Sequence, residues 1–376
     1  MSTTDFGWGS IGKLRLILDE LDGLDFLMDD ASNTAELAAQ VIGGRHRFVH
    51  GPGAAAAAAA ALVINDPVSA DRIARSGTPV VYVDSLPYLW TAGSEVPVAA
   101  TMYCAQRSPA GALPPASPLR RVADVRWVEP IVSPPRRRRG GAGAVVSVGG
   151  LHSHLVGGAS DAYLRAVLIP LVDALISAGH RVAAVCGNLP EWARTELTTM
   201  LPGSVRVGPC SAYDFEAALL RADALFTSPG STTILQAASM GLPTALLPPQ
   251  NLSQILNAEI FGVPGGSVIG WPTSVIDRAL VDGLRPSGED VVLAYVYRQI
   301  AECSGEPAVR SVLTERFRAL AACPAAPDGL SPRLRELGHG GARQVARIVR
   351  RVILAPAPAV KQPVAHRAIT DRHHAR

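Results

Sequence analysis

The sequence predicts an α/β protein with two domains, each a parallel β-sheet covered by helices. Short apolar runs alternate with stretches of helical periodicity before and after a segment rich in proline, glycine and arginine at 133–143. Such alternation is typical of mostly parallel sheets with helices on their faces. The length of 376 residues fits two domains of ordinary size. Since ligands of such sheets bind off the carboxyl ends of the strands, we expect a site in a cleft between the domains.

The predicted strands are short apolar runs on either side of the central segment. Before it they are 47–50, 61–65, 80–84 and 125–128. After it they are 144–148, 181–186, 205–207, 224–227 and 244–247. The segment 133–143 has no hydrophobic period, so we interpret it as a linker between a first domain at 1–132 and a second at 144–338. Its four consecutive arginines fit a solvated hinge, with binding of phosphate or acidic lipid as the alternative.

Composition excludes several classes of protein. A net charge of +3 is too small to imply a nucleic-acid partner. The longest apolar run, 54–64, is too short to span a bilayer, and the first residues lack the pattern of a signal peptide. Five cysteines are scattered without a C-x-x-C pair, which argues against a zinc site and against a disulfide framework. We therefore expect a cytoplasmic protein with no transmembrane segment.

The most informative stretch is 226–258. It reads as a buried strand, a turn of small residues at 228–233, a helix, a second strand, and a polar loop that enters another helix. Free backbone N–H groups and the helix dipole at such a strand-to-helix turn favour a phosphate. With the polar loop at 249–251 one strand later, the pattern predicts a clamp for a nucleoside diphosphate. The alternative is an ordinary α/β turn that is small because it packs tightly.

These residues resemble the donor site of GT-B glycosyltransferases, above all the family of the bacterial N-acetylglucosaminyltransferase of lipid II synthesis. The run 254–258 matches the Gln-x-x-Asn-Ala motif of that family. Gln236 stands where the family has a ribose-binding Glu; an amide still hydrogen-bonds a hydroxyl but carries no charge. The resemblance implies two Rossmann-like domains, a nucleotide-sugar-binding second domain and a first domain for the acceptor. It implies these donor-binding residues in the second domain: Gly230, Ser231, Thr232, Gln236, Gln250, Asn251 and Gln254.

The N-terminal segment 7–13 fits both G-x-G-x-x-G and G-x-x-x-x-G-K. A nucleotide triphosphatase is the weaker interpretation, because Leu14 stands where a P-loop has Ser or Thr and little chain precedes the motif for a strand. The resemblance instead implies a glycine-rich turn after a first, truncated strand, with Gly9 and Gly12 against the donor phosphates. Lys13 stands where the lipid II family commonly has a His, and a lysine is suited to bind phosphate or a carboxylate.

Further cleft residues follow from the resemblance. The turn after the strand at 144–148 is expected to contact the donor phosphates through Gly149, Gly150 and His152, although a surface histidine is the alternative. The loop at 209–214, with Ser211, is expected to frame the base of the nucleotide, although Asp214 also fits a helix cap. Without a suitable Asp-x-Asp we expect no metal, so backbone N–H groups and basic residues would stabilise the leaving diphosphate.

The acceptor side of the site is less defined. For the base that deprotonates the acceptor we favour Asp5 and Asp84, at the ends of predicted strands, with helix capping as the alternative for Asp84 and Asp66. The opening residues 5–14 resemble cytosylglucuronate synthases, GT-B enzymes of nucleoside antibiotic pathways. That resemblance implies transfer of glucuronate from UDP-glucuronate to cytosine, with Lys13 or a loop His beside the glucuronate carboxylate. Aromatic residues that could stack on an acceptor are Trp8, Tyr82, Tyr88 and Trp90.

We therefore expect a metal-independent hexosyltransferase that uses a UDP-sugar as co-substrate, needs no cofactor and acts on a small molecule. A UDP-sugar epimerase or hydrolase and a non-catalytic sugar-nucleotide binding protein are the alternatives. A basic amphipathic helix is predicted at 339–354, with its apolar positions at helical spacing. GT-B chains often end in a helix that packs back onto the first domain; peripheral membrane contact is the alternative. The tail at 355–376 is predicted to be disordered.

Overall fold

The computed structural model describes residues 1–3, 8–29, 41–42, 46–49, 58–110, 117–149, 151, 160–262, 268–322, 330 and 332–355. Its strands are β1 Ser2–Thr3, β2 Phe26–Asp29, β3 His46–Val49, β4 Ala61–Ile64, β5 Val80–Asp84, β6 Met102–Gln106, β7 Val125–Val128, β8 Ala144–Ser147, β9 Val182–Cys186, β10 Arg206–Gly208, β11 Ala224–Thr227 and β12 Thr244–Leu246. Its α-helices are α1 Trp8–Asp19, α2 Pro67–Arg75, α3 Ser160–Tyr163, α4 Ile169–Ser177, α5 Glu191–Met200, α6 Ala212–Arg221, α7 Ser231–Met240, α8 Leu252–Phe261, α9 Arg278–Leu284, α10 Glu289–Cys303, α11 Pro307–Ala322 and α12 Gly341–Leu354. A π-helical segment, Leu164–Leu168, joins α3 to α4, and three 3₁₀ helices lie at Pro118–Arg121, Arg285–Ser287 and Pro332–Leu337.

Two five-stranded sheets organise the chain. The first has the order β1-β4-β5-β6-β7 and the second the order β10-β9-β8-β11-β12, and every strand pair in both is parallel. A separate parallel pair joins β2 to β3. The predicted fold class, α/β with two Rossmann-like domains in the GT-B arrangement, is confirmed.

The second sheet has a topological switch point. Its order corresponds to strands 3-2-1-4-5 of the domain, so the chain leaves β8 in one direction and later returns on its other side as β11. In sheets of this kind the ligand crevice opens at the carboxyl ends of the two strands that flank this point. Strands β8 and β11 are buried at every position, as is typical of strands covered on both faces.

The glycine-rich N-terminal segment is helical, which corrects the predicted turn. Helix α1 begins at Trp8, so Gly9 and Gly12 lie in its first turns. Ile11, Leu14 and Leu18 recur at helical spacing and are buried in the core of the first domain. Their burial outweighs the roughly 1 kcal/mol that each glycine costs a helix relative to alanine.

The helix predicted near the C-terminus is present as α12, and its apolar face is buried against the first domain. Val345, Ala346 and Val349 share a core with Ile11 and Leu14 of α1. Glu129 precedes the segment after β7 and accepts hydrogen bonds from the backbone N–H groups of His339 at 3.0 Å and Gly340 at 2.8 Å. These bonds hold the pKa of Glu129 below its ordinary value. The predicted tail lies outside the described residues from 356 onward.

The segment between the sheets is docked on the second domain. The Arg138 guanidinium donates to the carbonyl oxygens of Gly241 at 2.7 Å and Ala222 at 3.0 Å. The N–H groups of Gly141 and Gly143 donate to the Asp223 carboxylate at 2.6 and 2.9 Å. The interpretation of this arginine cluster as a solvated hinge is therefore wrong for Arg138, although the other three arginines are exposed.

Candidate active site between the two sheets

A cavity of about 220 Å³ opens at the carboxyl ends of β8, β9 and β10. From the second domain it is lined by the residues that follow these strands and by the first turns of α7; from the first domain it is lined by α1. Its lining includes Gly9, Gly12, Arg15, Ser133, Gly149, Cys186, Cys210, Glu216, Thr232 and Gln236. The cavity thus lies beside the switch point, where the topology predicts a ligand.

Helix α7 presents an open N-terminus to this cavity. Strand β11 ends at Thr227, and Gly230 is the N-cap of α7, which receives no side-chain capping hydrogen bond. The first N–H groups of a helix have no partner within the helix, and they add to its positive dipole end. Thr232 and Thr233, in the first turn, line the cavity. The uncapped start of α7 therefore faces the cavity, and the phosphate clamp predicted for 228–233 stays a prediction.

Lys13 reaches across from the first domain to the same turn. Its ammonium Nζ donates a hydrogen bond to Oγ1 of Thr232, and the residue is only 1% exposed. Burial lowers the pKa of Lys13 from 10.5 to about 8. Among the described carboxylates none pairs with this ammonium. A buried cation beside a helix N-terminus is electrostatically unfavourable until an anion joins it.

The two domains approach each other closely at Gly9. A Cβ at this position would lie 3.5 Å from Oγ1 of Thr232, whereas a Cβ at Gly12 would meet nothing within 4 Å. The sequence placed these glycines and the turn at 228–233 in one cleft, and the structure brings them together.

The polar loop after β12 is buried and internally hydrogen-bonded. Gln250 Nε2 donates to the Gly149 carbonyl at 2.8 Å and to Ser228 Oγ at 2.9 Å. Gln254 Oε1 accepts from the Gln250 N–H at 2.9 Å, and Asn251 Oδ1 accepts from the Gln254 N–H at 2.9 Å. None of these three side chains lines the cavity. Their polar atoms instead join the loop that carries Gly149 to the turn at Ser228, and direct contact with a donor stays a prediction.

Asn257, in the same motif, has a similar role. Its Nδ2 donates to the Pro229 carbonyl at 2.7 Å, directly before the N-cap of α7. Its Oδ1 accepts from the hydroxyl of Tyr88, which follows β5 of the first domain. The motif residue therefore ties the turn to the opposite domain, and Tyr88 is a buried interdomain contact rather than a free stacking surface.

Two other predicted site residues, Asp84 and Ser211, do not line the cavity. Asp84 is 1% exposed, and its carboxylate accepts from Trp90 Nε1 at 2.6 Å and the Tyr103 hydroxyl at 2.7 Å. It lies in the interior of the first domain, where burial raises its pKa, and it does not line the cavity, so its role as catalytic base stays a prediction. Ser211 is exposed and caps α6, its Oγ accepting from the Asp214 N–H at 3.0 Å. Three further predicted residues lie outside the described part of the chain: Asp5, Gly150 and His152.

Glu216 is a cavity residue that the sequence analysis missed. Its side chain is 15% exposed, and its Oε2 accepts from Ser133 Oγ at 3.3 Å. Beside it, Gln236 Oε1 accepts from the Ser133 N–H at 2.8 Å. Glu216 Oε1 and Gln236 Nε2 are buried, and neither has a hydrogen-bond partner within the described residues, although Nε of the exposed Arg136 forms an ion pair with Glu216 Oε1 at 3.6 Å. The sequence did carry a signal for Glu216: it lies three residues before the buried Leu219, and residues three apart share one face of a helix.

Arg15 is a second missed residue. It lies one turn beyond Gly12 on α1 and lines the cavity. Its Nη1 is 3.4 Å from the Asp19 carboxylate, while its buried Nε finds no hydrogen-bond partner in the part of the chain that the structure describes. Arg15 gives this wall of the cavity a positive charge, and the Lys13 ammonium lies behind the wall on Thr232 without lining the cavity itself.

The sequence matches one family model. A family model described as "CGA synthase-related protein" matches residues 29–263, and the predicted likeness to cytosylglucuronate synthases fits that description. None of the curated proteins is significantly similar in sequence. No helix among the described residues is both long and apolar enough to cross a membrane.

Solved structures with similar folds include MurG of Acinetobacter baumannii, at 12% identity over 93% of this chain and 99% of that chain, with a TM-score of 0.49. UGT2 of Phytolacca americana, complexed with UDP-2-fluoro-glucose and pterostilbene, is similar at 13% identity over 93% and 98% of the chains, with a TM-score of 0.49. UDP-GlcNAc 2-epimerase of Neisseria meningitidis, bound to UDP-GlcNAc, is similar at 9% identity over 94% and 98%, with a TM-score of 0.46.

Proposed function

Since this chain belongs to the CGA synthase-related protein family, we propose that it is a glycosyltransferase that moves a sugar from a UDP-sugar to a small-molecule acceptor. The single observation that carries this proposal is the open N-terminus of α7 facing the buried Lys13 ammonium across the cleft. Glycosyl transfer leaves negative charge on the departing diphosphate. Preorganised N–H groups and a desolvated ammonium stabilise that charge as it develops.

The ribose of the nucleotide would bind between α6 and α7. A carboxylate oxygen accepts the hydrogen of a hydroxyl group, and an amide NH₂ donates to a hydroxyl oxygen. Glu216 Oε1 and Gln236 Nε2 supply these two groups: both are buried, Gln236 Nε2 has no hydrogen-bond partner among the described residues, and Glu216 Oε1 has only a long ion pair with Arg136 Nε at 3.6 Å. Glu216 thereby provides the negative charge that Gln236 lacks, from a different helix. The base would then lie toward the loop after β10, which carries Cys210.

A donor that carries a carboxylate fits the positive wall of the cavity. With Lys13 at the diphosphate, the guanidinium of Arg15 remains for a second anionic group, and guanidinium–carboxylate pairs are strong and directional. We therefore propose UDP-glucuronate as the donor, and cytosine as the acceptor in keeping with the resemblance of residues 5–14. Asp5 stays the predicted base.

The function is tested by incubating the protein with UDP-glucuronate, UDP-glucose or UDP-N-acetylglucosamine, each with and without cytosine, and measuring UDP by chromatography. We expect UDP release from UDP-glucuronate only when the acceptor is present. Release without acceptor would favour a hydrolase, and a changed sugar without release would favour an epimerase. Binding of every donor with no turnover would contradict transfer and favour a sugar-nucleotide binding protein.

Truncating Glu216 to alanine should weaken UDP binding. We expect the Kd for UDP to rise about 10- to 100-fold, because a hydrogen bond to a charged group contributes about 1.5–3 kcal/mol. Binding of inorganic pyrophosphate, which has no ribose, should not change. Calorimetric titration measures both. Glu315→Ala, at an exposed position in α11, is the matched control, and an equal loss of pyrophosphate binding in Glu216→Ala would refute the assignment to ribose.

A further inference from the structure

Two of the cysteines, distant in sequence, meet in the wall of the cavity. Cys186 is the last residue of β9, and Cys210 follows the end of β10 by two residues. The strands are neighbours with Gly208 opposite Cys186, and the Gly187 N–H donates to the Gly208 carbonyl at 3.2 Å. The two Sγ atoms are 2.9 Å apart, and both thiols are free. Their proximity was not apparent from the sequence, in which the two cysteines form no C-x-x-C motif.

The backbone holds the loop that carries Cys210 in place. Gly208 has a φ of +123°, which an L side chain rarely adopts, and it turns the chain at the end of β10. At Gly187 a Cβ would lie 2.6 Å from the Val148 carbonyl, so β8 and β9 are closely packed beside Cys186. Both sulfur atoms therefore lie at the closely packed ends of neighbouring strands.

The two thiols have different environments. Cys186 is buried, and its hydrogen bond to Cys210 together with burial raises its pKa. Cys210 is partly exposed to the cavity, and the hydrogen bond from Cys186, then the nearby Arg206, lower its pKa despite some burial. The thiolate is the reactive form of cysteine, so Cys210 is the nucleophile of the pair and Cys186 is positioned to resolve it.

We propose that Cys186 and Cys210 form a redox-sensitive dithiol that closes to a disulfide in the wall of the nucleotide cavity, with a peroxide as the oxidant. The Cys210 thiolate attacks one oxygen of hydrogen peroxide, the O–O bond breaks, and the hydroxide that leaves takes up a proton to become water. The sulfur of Cys186 then attacks the Cys210 sulfenic acid: the S–S bond forms, the S–O bond breaks, and the Cys186 proton departs with the hydroxyl as a second water. The two thiols lose two electrons, and the peroxide gains them.

Occupancy of the cavity should control this reaction. Both cysteines line the space in which the proposed function places the nucleotide, so a bound nucleoside diphosphate covers Cys210. This part of the inference rests on the proposed function. At ten times its dissociation constant, UDP should slow disulfide formation about tenfold, because only the unoccupied fraction of the protein reacts.

The experiment treats the reduced full-length protein with hydrogen peroxide, with and without UDP, then blocks remaining thiols with N-ethylmaleimide. Mass spectrometry of the non-reduced digest should show a peptide pair joined through Cys186 and Cys210, which dithiothreitol separates. Cys210→Ser should abolish the linked peptide, and Cys303→Ser, in α10 away from the cavity, should leave it unchanged.

The outcomes separate the two claims. Absence of the linked peptide, or irreversible oxidation of Cys210 with Cys186 left free, overturns the dithiol. A linked peptide that forms equally fast at saturating UDP, shown independently to bind by calorimetry, upholds the dithiol and overturns the placement of the nucleotide over it. A reversible, UDP-slowed disulfide supports both.

Discussion

Replacing Lys13 by methionine should abolish transfer and at the same time stabilise the fold. Removing one preorganised group that stabilises developing negative charge costs about 10²- to 10³-fold in turnover. The same ammonium is a cost to the unliganded protein, because it is 1% exposed and its pKa falls from 10.5 to about 8 through burial alone. At about 1.36 kcal/mol for each pH unit, that cost is about 3 kcal/mol at neutral pH.

The net gain in stability should be smaller than this cost. Lys13 donates to Thr232, and losing that hydrogen bond removes about 1 kcal/mol. Methionine retains an apolar stem of similar shape and needs no hydration. We therefore expect the free energy of unfolding at pH 7 to rise by about 2 kcal/mol.

The pH dependence of this gain has a definite sign. The pKa of Lys13 is lower in the folded protein than in the unfolded chain, so between about pH 8 and 10.5 the unfolded chain binds more protons. The free energy of unfolding of the wild-type protein should therefore rise with pH across that window, because the cost of burying the Lys13 ammonium disappears. The advantage of Lys13→Met should be complete below pH 8 and should disappear by about pH 10.5.

Urea denaturation at pH 7 and pH 10 measures the stability difference, and the donor assay measures turnover. Arg318→Met, which removes a cation from an exposed position in α11, should change neither. A Lys13→Met protein that is less stable than wild type at pH 7 would contradict the cost assigned to the buried ammonium, and one that transfers sugar at the wild-type rate would contradict its role in transfer.

Filling the cavity from α1 should eliminate nucleotide binding without harming the fold. A Cβ at Gly12 meets nothing within 4 Å, and the residue lines the cavity. In Gly12→Phe the ring would occupy space that the proposed nucleotide needs, while replacing a helical glycine favours α1 by a few tenths of a kcal/mol. We expect the Kd for UDP to rise by at least about 100-fold, equivalent to about 2.7 kcal/mol, with no loss of thermal stability.

Gly283→Phe is the matched control for this variant. Gly283 also lies in a helix, α9, with nothing within 4 Å of a Cβ, and it does not line the cavity. Calorimetric titration of both variants with UDP should separate them clearly. Wild-type affinity in Gly12→Phe would exclude the nucleotide from this side of the cleft.

The sequence predicted the second domain well because its strands are short, buried and bounded by turn residues. Strand β11, Ala224–Thr227, has the predicted bounds, since an apolar run there ends at the small residues of the anion site. The first domain was harder. Strands β2 and β6 were not predicted, and the Gly9–Gly12 stretch was predicted as a turn although packing of its apolar residues makes it a helix.

The sequence predicted where the candidate site lies, but it did not predict which polar atoms face the cavity. Local patterns identified Gly12, Lys13 and Thr232, because strand ends and helix starts carry a recognisable composition. They could not show whether the polar atoms of Gln250 and Gln254 face a ligand or neighbouring loops, because that depends on the fold around them.

Residues that come together only in the folded protein could not be paired from the sequence. Glu216 lies on a different helix from Gln236, and Cys186 and Cys210 are 24 residues apart, at the ends of neighbouring strands. Their proximity follows from the strand order and from the docked segment that carries Ser133. No local signal in the sequence encodes these distances.

A crystal structure of the protein with UDP tests the central claim most directly. The account predicts diphosphate oxygens on the backbone N–H groups at Ser231–Thr233 and on the Lys13 ammonium, with the ribose hydroxyls on Glu216 and Gln236. UDP bound away from the first turn of α7, or a diphosphate that contacts neither that turn nor Lys13, would contradict it.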